Sequence, residues 1–259
     1  MRIKGFIHIH SNWSDGELSL LDIKKKAQKM GMSFVLLSDH SSWIGSQEKL
    51  DEFKRECKRL SNEKFLMIPG FEVESREGYH ILIYNGDIFI EDGVEYNDIF
   101  NIFSNRKDVF LVLAHASQLL EKPDIDFLKK IDAVEVWNAK YDSKFAPCLR
   151  VLNWIKNKDI IPIAGTDAHS LFTLTKLWIE IEIESLEIKE IINSLLYNQF
   201  KISNGLISIN LKENFNLPLL AYWRIVNLFY PASRKFFVSL VRKGLKPPKF
   251  LEKFFHKVY

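Results

Sequence analysis

Histidine is the residue type whose placement in this chain asks for an explanation. Of the seven in the sequence, six fall at or just beyond short β-rich runs, and several stand within two residues of another histidine or a carboxylate. His8 and His10 are separated by a single residue, and in an extended backbone both rings point to the same side, which suits joint coordination of one ion. Alone such a pair is a weak signal, because it is more often structural or simply exposed. Here six further features follow in order: Ser14-Asp15-Gly16, Ser38-Asp39-His40, Gly70-Phe71-Glu72, His80, Ala114-His115-Ala116 and Gly165-Thr166-Asp167-Ala168-His169. Together His8, His10, Asp15, His40, Glu72, His80, His115, Asp167 and His169 make nine donors, enough for three divalent ions if one carboxylate bridges. Imidazole mixed with carboxylate suits zinc, manganese or iron better than calcium, which prefers an all-oxygen shell.

Two further residues near these donors invite a role. Arg76, between Glu72 and His80, carries a guanidinium that matches phosphate oxygens bidentately, so it is the expected substrate clamp; the plainer reading is an exposed charge in a polar loop. Asp39 either orients ligands from behind or serves as a helix N-cap or turn residue. Cys57 and Cys148 are the only cysteines and form no CxxC pair, so both are expected to pack as small hydrophobes.

The elements that must position the donors alternate short β-rich runs with helical patterns over the first 185 residues, which argues for βα units around a parallel sheet or barrel. Expected strands are Arg2 to Ile9, Phe34 to Ser38, Phe65 to Ile68, His80 to Tyr84, Phe110 to Ala114, Ala133 to Trp137, Ile160 to Ala164 and Leu177 to Ile183. Nearly all the donors then lie at carboxyl ends of strands, where barrel enzymes build their sites. Leu20, Ile23, Ala27 and Met30 recur at helical spacing, with Ser19 as N-cap and Gly31 as stop. Leu50, Phe53, Cys57 and Leu60 repeat that pattern, as do Ile188, Ile191, Ile192, Leu195 and Leu196; such stripes are core. Asn204-Gly205 reads as a tight turn closing the body.

A division at residue 210 separates an acidic body, residues 1–210, from a basic extension. Residues 211–259 hold ten Lys/Arg against two Asp/Glu. Within the extension, Arg234, Lys235, Ser239, Arg242 and Lys243 fall roughly opposite Phe236, Phe237, Leu240 and Val241, the pattern of a basic amphipathic helix. Such a helix packs on the preceding body, lies on an anionic membrane surface, or docks on an acidic partner; nucleic acid is a further option. The uncharged apolar stretch Asn214 to Trp223 stops at Arg224, well short of the roughly 20 residues a spanning helix needs. The first residues turn polar before any long apolar run, so a cytoplasmic location is expected, peripheral to a membrane if the extension binds one.

As an ordered set, His8-Ile9-His10-Ser11 with Ser14-Asp15-Gly16, Ser38-Asp39-His40, Glu72, His80, His115 and Asp167-Ala168-His169 resembles the PHP (polymerase and histidinol phosphatase) superfamily of phosphoesterases, over roughly residues 1–205. The resemblance implies a distorted (β/α)7 barrel with two or three ions (Zn, Mn or Fe) at its mouth, followed here by a basic, aromatic-rich helical extension. It implies one ion held by His8, His10, Glu72 and Asp167, a second by the bridging Glu72 with His80 and His115, and a third by Asp15, His40 and His169. Glu72, Asp167 and His169 are the expected catalytic residues, and Glu135 and Asn138 are expected to line the pocket as neighbours.

A water held between such ions would ionise near neutrality and attack phosphorus, with no serine or cysteine nucleophile needed. The expected substrate is a phosphate ester, with nucleotides and short oligonucleotides first because the Asp15 motif resembles that branch of the family. Ser41-Ser42 stands where an acidic residue is common in small-nucleotide relatives, and the His80 to His115 interval lacks their helical insertion, which leaves a more open mouth. The alternatives are a PHP-type protein tyrosine phosphatase and a noncatalytic metal-binding PHP domain.

Overall fold

The computed structural model describes the backbone of residues 1–143, 145–156, 158–174, 177–212 and 217–242, and in the last stretch the side chains of 218–230 and 239. β-branched and aromatic runs pair into two six-stranded sheets. The first has the order β12 (Ser208–Ile209), β11 (Phe200–Ser203), β10 (Trp178–Glu182), β1 (Arg2–Ile9), β2 (Phe34–Leu37) and β4 (Leu66–Ile68). The second has the order β3 (Asp39–His40), β5 (Gly70–Glu74), β6 (His80–Tyr84), β7 (Phe110–Leu113), β8 (Ala133–Asn138) and β9 (Ile161–Gly165).

The sheets join where the sequence makes a ladder hard to continue. The chain passes from the first sheet to the second through a single residue twice, Ser38 between β2 and β3 and Pro69 between β4 and β5. Proline has no N–H to donate; Ser38 still donates its N–H to Ile9 O of β1 at 2.8 Å, while its hydroxyl bonds Tyr84 Oη of the second sheet at 2.9 Å and so ties the two sheets at the passage. At another edge β1 meets the segment after β9. There Thr166 N–H donates to Ile7 O at 2.8 Å and His10 N–H to Ala168 O at 2.9 Å. Phe6, Leu36, Phe71, Ile83, Val112, Val134 and Ile163, drawn from both sheets, are fully buried in one core.

The result is a mixed α/β fold. Among the described residues no continuous ring of strand hydrogen bonds closes, so the expected barrel resolves into two joined sheets. Nor are the strands all parallel. β5 to β6 and β6 to β7 are antiparallel, as are β1 to β10 and β10 to β11. The link from Glu74 to His80 is too short for a helical crossover, which forces a hairpin. β5 is a strand that the sequence pattern does not predict: its short Gly-Phe-Glu-Val-Glu run follows Pro69 and carries two acids.

The helices follow their periodicity. Helix α1 (Leu20–Lys29) is capped by Ser19, whose hydroxyl accepts from Asp22 N–H at 3.2 Å, and it buries Leu20, Ile23 and Ala27. After the short α2 (Ser41–Ile44), α3 (Gln47–Leu60) buries Leu50, Phe53, Cys57 and Leu60 against the first sheet's core. The remaining helices are α4 (Tyr96–Phe103), α5 (Ile125–Lys130), α6 (Leu149–Ile155), α7 (Ile188–Leu196) and α8 (Leu217–Arg242). Asn204-Gly205 turns between β11 and β12 with Gly205 at φ 85, a left-handed value that glycine adopts without strain.

The start of the basic extension leans on the body. Trp223 of α8 is fully buried, and Asn227 donates to Pro147 O at 2.9 Å while accepting from Leu149 N–H at 3.2 Å. The amphipathic pattern expected at residues 234–243 rests on side chains outside those described, apart from Ser239. Among the described residues no helix is long and apolar enough to cross a membrane.

One buried charge tests this packing. Asp132, just before β8, accepts the Leu111 N–H of β7 at 2.8 Å, and burial pushes its carboxyl up to about 6. A carboxyl raised in the folded state holds its proton more tightly there than in the unfolded chain. Its ionisation therefore costs stability as pH rises through the window from the ordinary carboxylate value to about 6. Asp132→Asn keeps an acceptor for Leu111 and removes the charge. Thermal melts should show it stabilised by about 1–2 kcal/mol at pH 7.5, with the gain shrinking toward pH 4; a gain of the same size at both pH values would refute the buried-charge account.

Candidate metal centre

Side-chain alternation alone would bring His8 and His10 to one side of β1, but the structure goes further. The β1–β2 register shifts between Ile7 and Ile9, and His8 sits at φ 64. The ring is thereby carried into the interior, with no exposure. His115, just after β7, and Asp167, just after β9, also have positive φ, 27 and 49. Three of the five described non-glycine residues with positive φ are thus expected donors. Such backbone costs on the order of 1–3 kcal/mol per residue and persists where the surroundings enforce it, typically at functional sites.

Antiparallel β6 explains how His80 joins them. It begins β6, and because β6 runs against β5 and β7, its first residue lies at the end where β5 and β7 finish. Glu72 in β5 is buried at the centre of the cluster. Its Oε1 lies 2.7 Å from His80 Nδ1 and 3.0 Å from His115 Nε2. Its Oε2 lies 3.3 Å from His8 Nε2, 3.4 Å from His10 Nε2 and 3.7 Å from His40 Nδ1. Asp15 reaches His10 Nδ1 at 3.6 Å and His40 Nε2 at 3.7 Å through one oxygen, and His169 Nε2 at 3.2 Å through the other. The donors form three groups able to hold an ion: His10, Asp15, His40 and His169; His8, His10 and Glu72; Glu72, His80 and His115. Asp167 stands beside the first two, its Oδ1 3.9 Å from His8 Nε2, 3.7 Å from His10 Nε2 and 3.4 Å from His169 Nδ1.

The geometry fits divalent ions on two counts. His8 Nε2 and His10 Nε2 face each other at 3.1 Å, and donor atoms sharing one tetrahedral ion at bonds of about 2.0–2.1 Å stand roughly 3.3 Å apart. His10 Nδ1 is buried with no hydrogen-bond partner, an orphaned ligand atom aimed toward Asp15. The charge pattern agrees. Burial disfavours ionised Glu72, yet hydrogen bonds from His115, His8 and His80 outweigh it and hold the carboxyl well below its ordinary value. Asp167 is likewise held down to about 2 despite burial, by His8, Lys140 and His10. His10 is pushed well down by its burial and by the neighbouring His8.

Supporting contacts set the ring orientations. His8 Nδ1 donates to Glu135 Oε1 at 2.8 Å, which leaves Nε2 to face the cluster. Glu135 also accepts the His115 N–H at 2.6 Å and Asn138 Nδ2 at 3.0 Å, so the pocket-lining pair of the sequence reading is a brace between β1, β7 and β8. Gly165 makes room for it, since a Cβ there would stand 1.8 Å from Glu135 Oε1. Asp39 is fully buried and accepts from Ser11 N–H at 2.8 Å, Ser11 Oγ at 2.9 Å and Ser14 Oγ at 2.7 Å. It ties down the loop that carries Asp15, which favours the orienting role over a helix cap.

Arg76 is placed differently from its expected use. Its Nη1 pairs with Glu95 Oε1 at 2.6 Å on the surface, and no described contact joins it to the donor groups. The cation that does reach them is Lys140, whose Nζ lies 3.3 Å from Asp167 Oδ1. No motif marks Lys140. Its position just past the end of β8, where Asn138 pairs with Gly165 two residues before Asp167, is the signal that would have found it.

The PHP domain model matches residues 7–141, just over half of the chain, and the chain belongs to this family. The DNA polymerase/3'-5' exonuclease PolX of Bacillus subtilis (strain 168) is 26% identical over 117 residues, 42% of this chain and 20% of its own. The chain thus spans about a fifth of the length of that curated relative. Among solved structures, a two-domain protein containing a predicted PHP-like metal-dependent phosphoesterase from Bacteroides vulgatus ATCC 8482 aligns with a TM-score of 0.59 and 16% identity, covering 78% of this chain and 64% of that one. The lesion-specific endonuclease PfuEndoQ from Pyrococcus furiosus aligns with a TM-score of 0.57 and 19% identity, covering 78% of this chain and 58% of its own. At these identities the structural likeness is one of fold.

The Glu135 brace is testable without any substrate. Glu135→Gln keeps the shape but weakens its hold on His8, and Gly165→Ala drives the carboxylate out of place. Each should lower zinc affinity about 10- to 100-fold in a chelator-competition titration, as loss of a ligand-orienting partner does. Affinity unchanged in both variants, with melting curves like the wild type, would remove Glu135 from the site.

Proposed function

We propose that this chain is a metal-dependent phosphoesterase that hydrolyses a nucleotide or short oligonucleotide at a site of two or three divalent ions. The observation that carries the reading is Glu72, whose two oxygens face separate sets of imidazoles as a bridging carboxylate must. Ions bound there supply concentrated positive charge, which acidifies a coordinated water and offsets the charge on phosphoryl oxygens. In this reading His8, His10, Glu72 and Asp167 hold one position, Glu72, His80 and His115 a second, and Asp15, His40 and His169 a third. Zinc, manganese and iron all suit these donors. The complete set of donors weighs against a noncatalytic domain, and we read residues 1–210 as the catalytic body with 211–259 as an extension to it.

Lys140 takes the role first given to Arg76. Its ammonium stands at the rim, half-buried and next to Asp167, where a phosphate oxygen can draw it away from the carboxylate. The nucleic-acid preference rests on the Ser14-Asp15-Gly16 motif and on the company the fold keeps: PolX is a polymerase and exonuclease, and PfuEndoQ an endonuclease.

A hydrolysis screen tests the reading. With Mn²⁺ or Zn²⁺ added, a panel of mononucleotides, short DNA and RNA, sugar phosphates, histidinol phosphate and phosphotyrosine peptide should include nucleotides or oligonucleotides among the esters cleaved. Chelator should abolish the activity. Metal-replete protein that cleaves no ester would leave only a binding role.

Lys140→Gln should lower kcat/KM about 10- to 100-fold and weaken competitive inhibition by inorganic phosphate, as expected when one charge-assisted hydrogen bond to phosphate is lost. Metal content should hold, and Lys140→Arg should recover part of the loss. Unchanged phosphate inhibition in Lys140→Gln would rule Lys140 out as the phosphate contact.

A further inference from the structure

Beside the donor cluster lies a cleft that the chemistry described so far leaves unused. A cavity of about 340 Å³ is lined by Asn12, Trp13, Trp43, Lys49 and Glu52. A neighbouring cavity of about 480 Å³ shares Asn12, Trp13 and Glu52 and runs on to Arg55. Both walls of the first grow out of donor loops: Asn12 and Trp13 lie between His10 and Asp15, and Trp43 stands three residues past His40 on α2. A molecule whose phosphate rests against Asp15 and His40 would meet, along the same two loops, the side chains that line this cleft.

The two indoles are presented in different ways. Trp13 is partly buried, its ring seated on Phe53 at 5.3 Å and its backbone N–H donating to Ser11 Oγ at 3.2 Å, so it forms a fixed wall. Trp43 is 59% exposed, and no ring contact is found for it among the described residues. A bare indole at the mouth of a polar site leaves apolar surface in water that a flat ligand would cover. The rest of the lining narrows the choice of ligand. Asn12 offers an amide donor and acceptor, Glu52 an acceptor, and Lys49 a cation, so an acyl chain or an apolar helix would strand all three. A nucleobase has the matching parts, a π face to stack and a polar edge to hydrogen-bond.

We propose that this cleft, where exposed Trp43 and anchored Trp13 flank the donor loops, is a nucleobase subsite that holds the base next to the scissile phosphate. The assignment rests on the phosphoesterase reading above and deepens it. Single-stranded or unstacked nucleic acid is the substrate class it selects, because a base stacked in a duplex cannot offer its face to an indole.

The test compares substrates with and without a base on full-length, metal-loaded protein, using Trp43→Ala and Trp43→Phe. On short oligo(dT) or AMP, Trp43→Ala should raise KM about tenfold with kcat changed by less than about twofold, the scale of one lost base–aromatic stack. On ribose 5-phosphate, which has no base, neither constant should move, and Trp43→Phe should recover most of the loss. Independently of turnover, oligo(dT) should quench tryptophan emission of the wild type and do so much less in Trp43→Ala. Equal losses on substrates with and without a base, a loss confined to phosphotyrosine peptide, or no loss anywhere would overturn the subsite. If no ester is hydrolysed at all, the phosphoesterase reading fails and the quenching titration alone decides: a Trp43-dependent signal sustains nucleobase binding, and its absence ends it. Wild type that cleaves ribose 5-phosphate but is not quenched by oligo(dT) would remove the subsite and leave the phosphoesterase standing.

Discussion

The burial of the Glu72 carboxylate among imidazoles is the constraint on which the rest of this structure depends. A carboxylate with 1% exposure is costly unless positive charge or several donors meet it. Here both oxygens are faced by ring nitrogens from β1, β3 and β6 and from the segments just past β1 and β7, strands that come from both sheets. The two sheets must therefore meet at this point and hold their registers. A slip of one residue in β5 would turn Glu72 away and bring an apolar neighbour, Phe71 or Val73, to the cluster. The single-residue passages at Ser38 and Pro69 bear on the same point, because they place β3 and β5 directly after the buried strands β2 and β4.

Holding the rings in place requires local conformations that the chain would not choose freely. His8, His115 and Asp167 occupy left-handed backbone, and the contacts that enforce it are visible. Glu135 takes both the His8 ring and the His115 backbone N–H. The residues around Asp167 are tied to β1 by the Thr166 hydroxyl, which donates to His8 O at 2.8 Å, and by Ala168 N–H, which donates to the same carbonyl at 3.2 Å. Gly165 and Gly16 serve the arrangement by what they lack. A Cβ at Gly16 would stand 2.3 Å from the His10 carbonyl oxygen, so the Ser-Asp-Gly turn can fold back on the histidine pair only without one.

Much of this was legible in the residues themselves. That the nine expected donors would gather was readable because metal chemistry demands specific side chains, rare enough to stand out when they recur in order; eight fall in groups able to hold an ion and Asp167 stands beside them. Helices α1 and α3 were readable from apolar spacing and the Ser19 cap. Strand direction was not, because parallel and antiparallel ladders use the same residue types. The loop length from Glu74 to His80 was the usable clue to the hairpin. Arg76 and Lys140 show the other limit. Arg76 stands between two donors in sequence and Lys140 far from any, yet the fold pairs Arg76 with Glu95 and brings Lys140 to Asp167.

Counting charge around the cluster connects the geometry to the kind of ligand it suits. With the imidazoles neutral, Glu72, Asp167, Asp15, Glu135 and Asp39 bring five negative charges to this end of the molecule, against one described cation in contact, Lys140. Without ions, the charge must be met by protons. His8 accordingly has its proton held well above the ordinary histidine range: burial opposes this, but Glu135 and Asp167 outweigh it. Two divalent ions would bring the count to neutrality, and a third would leave it positive by two. A site of that kind attracts an anion of one or two charges, which is what a phosphodiester or phosphomonoester carries. On the proposed reading, carboxylates that would repel a phosphate from the ion-free centre would favour it once ions are bound, so that ion binding and substrate binding would be coupled.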